Sequence, residues 1–125
     1  MTILSGIPVL NCQSIEKSLQ FYQQILHFVI VNKRDDNGEL CWVHLMHGET
    51  TLMLQSIGAS LSQQQGGQFA HTISLYFFVD NIDDLKHLIS AKGMSSSAMK
   101  VMDYNMREFS LSDPDGNIIV IAEKS

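Results

Sequence analysis

Two cysteines and two prolines in 125 residues are too few for a disulfide-stapled scaffold or a proline-rich chain. Cys12 and Cys41 form no Cys-x-x-Cys pair, so neither thiol signals a redox motif or a thiolate zinc site, and both read as reduced thiols. Lysine and arginine total 8 against 13 acids, a net charge of −5; this leaves no basic footprint for nucleic acid and a field mildly favourable to cations. No apolar run reaches the ~18 residues of a membrane span, and residues 1–6 are too short and uncharged to form a signal peptide. The expectation is a cytoplasmic protein without membrane or nucleic-acid partners. The chain also lacks a Gly-x-Ser-x-Gly elbow, a phosphate loop and a dinucleotide fingerprint, so nothing points to nucleophilic or nucleotide chemistry. What is present is 45% hydrophobic and 17% charged sequence, enough to bury a core in a single domain, residues 1–125.

Hydrophobic periodicity divides the chain into short elements. "IPVLN" at Ile7 to Asn11 reads as a strand. Ile15, Leu19, Tyr22, Ile25 and Leu26 then recur at helical spacing, with Ser14 or Asn11 placed to cap the start. "FVIVNK" from Phe28, "LCWVHLM" from Leu40 and "TLMLQ" from Thr51 read as strands joined by the turns "DDNG" and "HGET". Residues 57–70, rich in Gly, Ser and Gln, carry neither period and read as a linker. The pattern then restarts: "TISLYFFV" from Thr72 is a strand, and Asn81 to Lys92 is a helix with Ile82, Leu85, Leu88 and Ile89 on one face, closed by Gly93. A weaker strand near Lys100 to Asp103 precedes a hairpin of Arg107 to Leu111 and Asn117 to Ala122. Its connection, "SDPDGN", is a turn in which Pro114 presets φ and Asp113, Asp115 and Gly116 suit the remaining positions.

These halves form an internal repeat. Adding 67 carries Cys12 to Ile15 onto Val79 to Ile82, Ile7 onto Ser74 and Met53 onto Val120. Neither βαβββ half buries a sheet face alone, so the prediction is an α+β fold: two tandem βαβββ modules, residues 1–56 and 71–125, pairing into one curved mixed sheet with helices outside and a central cavity.

"PVLNCQSIEKSLQFYQQILHF", "FFVDNIDDLKHLISAKGM" and "REFSLSDPDGNIIVI" resemble segments of the vicinal oxygen chelate superfamily, which includes glyoxalase I, extradiol dioxygenases, fosfomycin resistance enzymes and bleomycin resistance proteins. Metal-dependent members carry a ligand on the first strand and on the last strand of each module. Carried over, those positions are Ile7, Met53, Ser74 and Val120, three hydrocarbon or thioether side chains and one hydroxyl, where divalent metals need imidazoles and carboxylates. The other histidines do not rebuild a site: His44 and His47 are three apart on a strand and face opposite ways, His71 is offset from the ligand position by an odd step, and His27 and His87 belong to helix surfaces.

The resemblance therefore implies a metal-independent protein without cofactor that binds a small organic ligand, possessing no catalytic residue, in character closest to the bleomycin resistance type, sequestering a drug or toxic aromatic compound. The alternative is a metal-dependent lyase, isomerase or dioxygenase of the same superfamily. Short two-module chains of this kind imply a homodimer. If the four positions face inward, strand alternation adds Val9, Asn11, Thr51, Gln55, Tyr76 and Phe78, and the hairpins add Trp42 and His44 in one module and Arg107, Phe109 and Leu111 in the other. The predicted ligand-binding set is Trp42, His44, Met53, Tyr76, Phe78, Arg107 and Phe109.

Overall fold

A computed structural model of the chain describes residues 1–57 and 72–124. Apart from Ile57, the expected linker lies outside the described residues, as does His71. The elements run β1 (Val9–Cys12), α1 (Ile15–Gln24), β2 (Val29–Asp36), β3 (Glu39–His47), β4 (Thr50–Ser56), β5 (Ser74–Phe78), α2 (Ile82–Ala91), β6 (Lys100–Met102), β7 (Met106–Ser112) and β8 (Ile118–Lys124). This is the mixed α+β class expected, in two compact units, Met1–Ala70 and His71–Ser125, each a βαβββ module. No helix among the described residues is long and apolar enough to cross a membrane.

In the N-terminal unit the strand order is β1-β4-β3-β2, with β1 parallel to β4 and the other pairs antiparallel. The Ser14 side chain caps α1 by accepting the Lys17 amide, which satisfies one of the orphan donors of the first turn. Leu10, Cys12, Val43, Leu45, Leu52 and Leu54 alternate out of the strands, and with Ile15, Ser18, Phe21 and Tyr22 of α1 they form the buried core. Tyr22, with no exposed surface, makes edge-to-face contacts with Phe21 and Phe28. His47 belongs to this covered side: its Nδ1–H donates to the Leu26 carbonyl at 2.8 Å. Asn37 and Gly38 turn the β2–β3 hairpin with φ of 53° and 82°, the left-handed pair that matches strand twist in a two-residue loop. Ile7 is 37% exposed and stands outside β1.

The C-terminal unit repeats the order as β5-β8-β7-β6. Asn81 caps α2 by accepting the Asp84 amide, and Ile82 and Ile89 bury the helix against a core that includes Phe109, Leu111, Ile119 and Ile121. The "DPDG" acids serve the turn. Asp113, only 5% exposed, accepts the backbone amides of Asp115 and Asn117 on Oδ1 and the Asn117 side-chain amide on Oδ2, each at 2.9 Å. Asn117 Oδ1 in turn accepts the Ile73 amide at 3.0 Å, so one buried cluster fixes the β7–β8 loop and ties it to the head of β5.

This loop differs from its counterpart in the N-terminal unit, and the difference corrects one sequence expectation. In β3–β4, His44 pairs with Met53; the repeat offset would carry that pair to Leu111 with Val120. The observed partner of Val120 is Ser110. The longer loop at 113–117 replaces a turn of two residues, Gly48 and Glu49, and advances the pairing by one residue. Because strand side chains alternate with period two, a one-residue slip exchanges the faces of the whole strand. Arg107, Phe109 and Leu111 therefore point toward α2 instead of away from it.

Removing the Asp113 carboxylate leaves buried N–H donors without acceptors, each costing about 1–3 kcal/mol. Asp113→Ala is expected to lower unfolding free energy by about 3 kcal/mol in urea titration, with Asp113→Asn losing less because it retains one acceptor oxygen.

Candidate functional site

Each sheet has one face covered by its helix and one that its helix does not touch. Cross-strand register sorts the uncovered face of the N-terminal sheet into two rows. One runs Val9, Met53, His44, Asn32 and the next Asn11, Gln55, Trp42, Arg34. Trp42, His44 and Met53 are thus brought together, as the sequence predicts. The Trp42 and His44 rings lie 6.3 Å apart at a tilt, and the Arg34 guanidinium stands 5.4 Å from the Trp42 ring centre, within cation–π range. Gln55 Nε2 donates to Asn11 Oδ1 at 3.2 Å.

His44 is the unusual group of this row. Its Nε2 is shielded from solvent and has no hydrogen-bond partner among the described residues. A buried polar atom left unpaired costs ~1–3 kcal/mol, and most native proteins avoid it. Its neighbours on the sheet are Trp42, Met53 and Asn32, and a hydrogen-bonding partner admitted by movement of a covering side chain would recover that cost.

The uncovered face of the C-terminal sheet carries the rows Tyr76, Val120, Ser110 and Phe78, Ala122, Glu108, Lys100. Tyr76 and Phe78 are 42% and 73% exposed, with ring centres 5.1 Å apart. Two expected members are missing from it. Phe109 is 2% exposed beneath α2, with the Lys86 ammonium 4.9 Å from its ring centre. Arg107 is ion-paired to Asp83 of α2 at 3.2 Å and to Glu123 of β8 at 2.6 Å. Hydrogen bonds to Glu123 and then Asp83 raise its pKa above the ordinary guanidinium value. Its charge is spent within the unit, and neither residue belongs with Tyr76 and Phe78. Sequence reasoning in turn missed Arg34, Tyr104 and Glu108. Arg34 could be found only through the pairing of β2, whose register shifts twice; Glu108 follows once the slip in β7 is known.

An open hollow of about 470 Å³ is lined by residues such as Ser95, Ser96, Ser97, Ser110 and Ser112. Its polar atoms are largely matched with one another, since Lys86 Nζ donates to Ser96 Oγ at 2.5 Å and to the Ser97 carbonyl, and Ser97 Oγ accepts the Ser110 amide. It presents no unmet group comparable with His44 Nε2.

A divalent metal needs several imidazole, thiolate or carboxylate donors converging on one point. Met53 lies between Val9 and His44, and Val120 between Tyr76 and Ser110, so a single imidazole and no carboxylate adjoin these two positions on the sheets. No group of three or more His, Cys, Asp or Glu residues among the described residues is arranged to hold a metal ion. The side chains at Ile7, Met53, Ser74 and Val120 do not fit one.

Fold and faces together define a two-module βαβββ protein with aromatic residues on the uncovered side of each sheet. The chain belongs to the Glyoxalase/Bleomycin resistance protein/Dioxygenase superfamily, whose family model matches residues 6–121. Among solved structures it is similar to a bleomycin-binding protein complexed with bleomycin, at 19% identity over 97% of this chain and 98% of that one, with a TM-score of 0.71. It is similar also to a glyoxalase-related enzyme from Clostridium phytofermentans, at 18% identity, 100% and 98% coverage and a TM-score of 0.75. A lactoylglutathione lyase from Agrobacterium tumefaciens follows at 16% identity, 98% and 95% coverage and a TM-score of 0.72. At these identities the likeness establishes the shared fold. Comparison with curated protein sequences gave no match.

The reassignment of Phe109 is directly measurable. Phe109→Ala is expected to cost about 3–4 kcal/mol of stability, as for other buried aromatics, while leaving the emission maximum of Trp42 in the folded protein unchanged. A Phe109 that lined a ligand face would show the reverse, with small loss of stability and altered binding.

Proposed function

We propose that this chain is a small-molecule-binding protein that holds an organic ligand without a metal, on the Trp42 and His44 face of its N-terminal unit. The observation that carries this reading is His44 Nε2, shielded and unpaired beside an aromatic ring. A planar ligand stacking on Trp42 would gain the contact area of the indole, and a polar atom at its edge would satisfy His44 once the side chain covering Nε2 shifts. Met53 beside them supplies a polarizable side chain that adapts to ligand shape, and Arg34 favours an electron-rich or anionic edge.

Superfamily membership supports the reading at its coarse level, since that fold serves binding proteins as well as enzymes. The bleomycin complex formed by one structural neighbour supports a drug or toxic aromatic compound as ligand and sequestration as role, with a homodimer as the working form by the same resemblance. A metal-dependent lyase, isomerase or dioxygenase would need donors at Ile7, Met53, Ser74 and Val120 that these side chains do not provide.

Trp42 is the single tryptophan of the chain, so its fluorescence reads the site directly. In a screen of planar aromatic compounds and antibiotics, a ligand is expected to quench Trp42 emission and raise the melting temperature by mass action, equally well with and without chelator. His44→Phe should weaken that ligand about tenfold, the worth of one hydrogen bond near 1.4 kcal/mol. One tightly bound Fe, Mn, Zn or Ni per chain, or binding abolished by chelator, overturns the reading.

A further inference from the structure

We infer that the uncovered face of the C-terminal sheet is a recognition element for an organic cation, built from Tyr76, Phe78, Tyr104 and Glu108. It rests on the small-molecule-binding reading for the presence of a ligand and deepens it by naming the chemical class that this face takes.

The residues converge through three separate features of the backbone. Alternation along β5 places Tyr76 and Phe78 on one face. Register across β8 and β7 sets Glu108 in the row of Phe78, with the small, fully buried Ala122 between them, so a ring and a carboxylate flank it. The β6–β7 turn, with Asn105 at φ 64°, sends Tyr104 back over this face: its hydroxyl donates to Glu108 Oε1 and lies 3.5 Å from Tyr76 Oη. Three rings and one carboxylate thereby share a single surface.

That combination suits a cation. Ring faces attract positive charge through their quadrupoles, an interaction strengthened where water is partly excluded. Tyr104 occupies one carboxylate oxygen and leaves Glu108 Oε2 to accept from a protonated amine or to lie against a quaternary ammonium. Neither nearby base forms an ion pair with the carboxylate. Arg107 is engaged on the opposite face by Asp83 and Glu123; Lys100, the cross-strand neighbour of Glu108, makes no ion pair with it and leaves it open to a cation that makes closer contact. The exposure of Tyr76, Phe78 and Tyr104 at 42%, 73% and 58% is unusual for neighbouring aromatic rings and leaves them available for contact. A net charge of −5 favours approach of the cation from a distance.

Benzyltrimethylammonium titrated into the labelled full chain tests this by amide NMR. Shifts are expected at residues 74–78 and 104–110, weakened about tenfold in Glu108→Gln and about fivefold in Phe78→Leu, with benzenesulfonate producing none. Both substituted residues are surface groups, and circular dichroism confirms that each variant is folded. Unchanged affinity in Glu108→Gln, equal binding of benzenesulfonate, or shifts confined to Trp42 and His44 overturn the inference. Trp42 quenching by uncharged planar ligands reports separately on the N-terminal face, so that reading can stand while this one fails.

Discussion

The Asp113 carboxylate, buried in its own loop and holding two backbone amides and the Asn117 side chain, sets the register on which the C-terminal unit depends. It stabilises a loop whose length pairs Ser112 with Ile118, and that parity decides which residues of β7 meet α2. Had the loop matched Gly48 and Glu49 of the other hairpin, Phe109 would have lost its place in the core and Glu108 would have faced the helix. The charge does a turn's work, as its setting beside Pro114 and Gly116 predicts: it supplies acceptors for amides that a short connection cannot pair by itself.

The modular plan was legible because it follows from local signals that tertiary context reinforces. Ser14 and Asn81 cap the helices where the apolar period begins, and the left-handed Asn37 and Gly38 close the first hairpin. Trp42, His44 and Met53 were legible for a further reason: a turn of two residues transmits strand parity without ambiguity, so pairing Met46 with Thr51 fixes every later pair. The same extrapolation failed in the second hairpin because the repeat offset preserves β8 against β4 but not β7 against β3. Arg107 and Phe109 were misassigned by that single step, and together they show its energetic logic. An aromatic ring and a guanidinium both gain partners under α2, Lys86 for one and Asp83 with Glu123 for the other.

Other parts of the site were not legible at all. Arg34 reaches Trp42 only because β2 shifts register between Ile30 and Asn32 and again after Arg34, and bulges of this kind leave little trace in composition. Tyr104 arrives from a turn outside the strand pattern, so no periodicity argument could assign it to a sheet face.

The two uncovered faces differ in charge, and this resolves a tension that net charge alone creates. The Trp42 face has Arg34 as its charged member, alongside the amides Asn11, Asn32 and Gln55; the Tyr76 face has Glu108 beside its rings, with Lys100 at the row's margin. An overall acidic chain steers cations at long range, but within contact distance the local residue outweighs the sum, because a Coulomb interaction at a few ångströms in a partly desolvated site is several times stronger than one screened across a Debye length. Met53 and Val120 are consistent with that division, since these side chains add dispersion contact to the faces and hold no charge that would compete with Arg34 or Glu108.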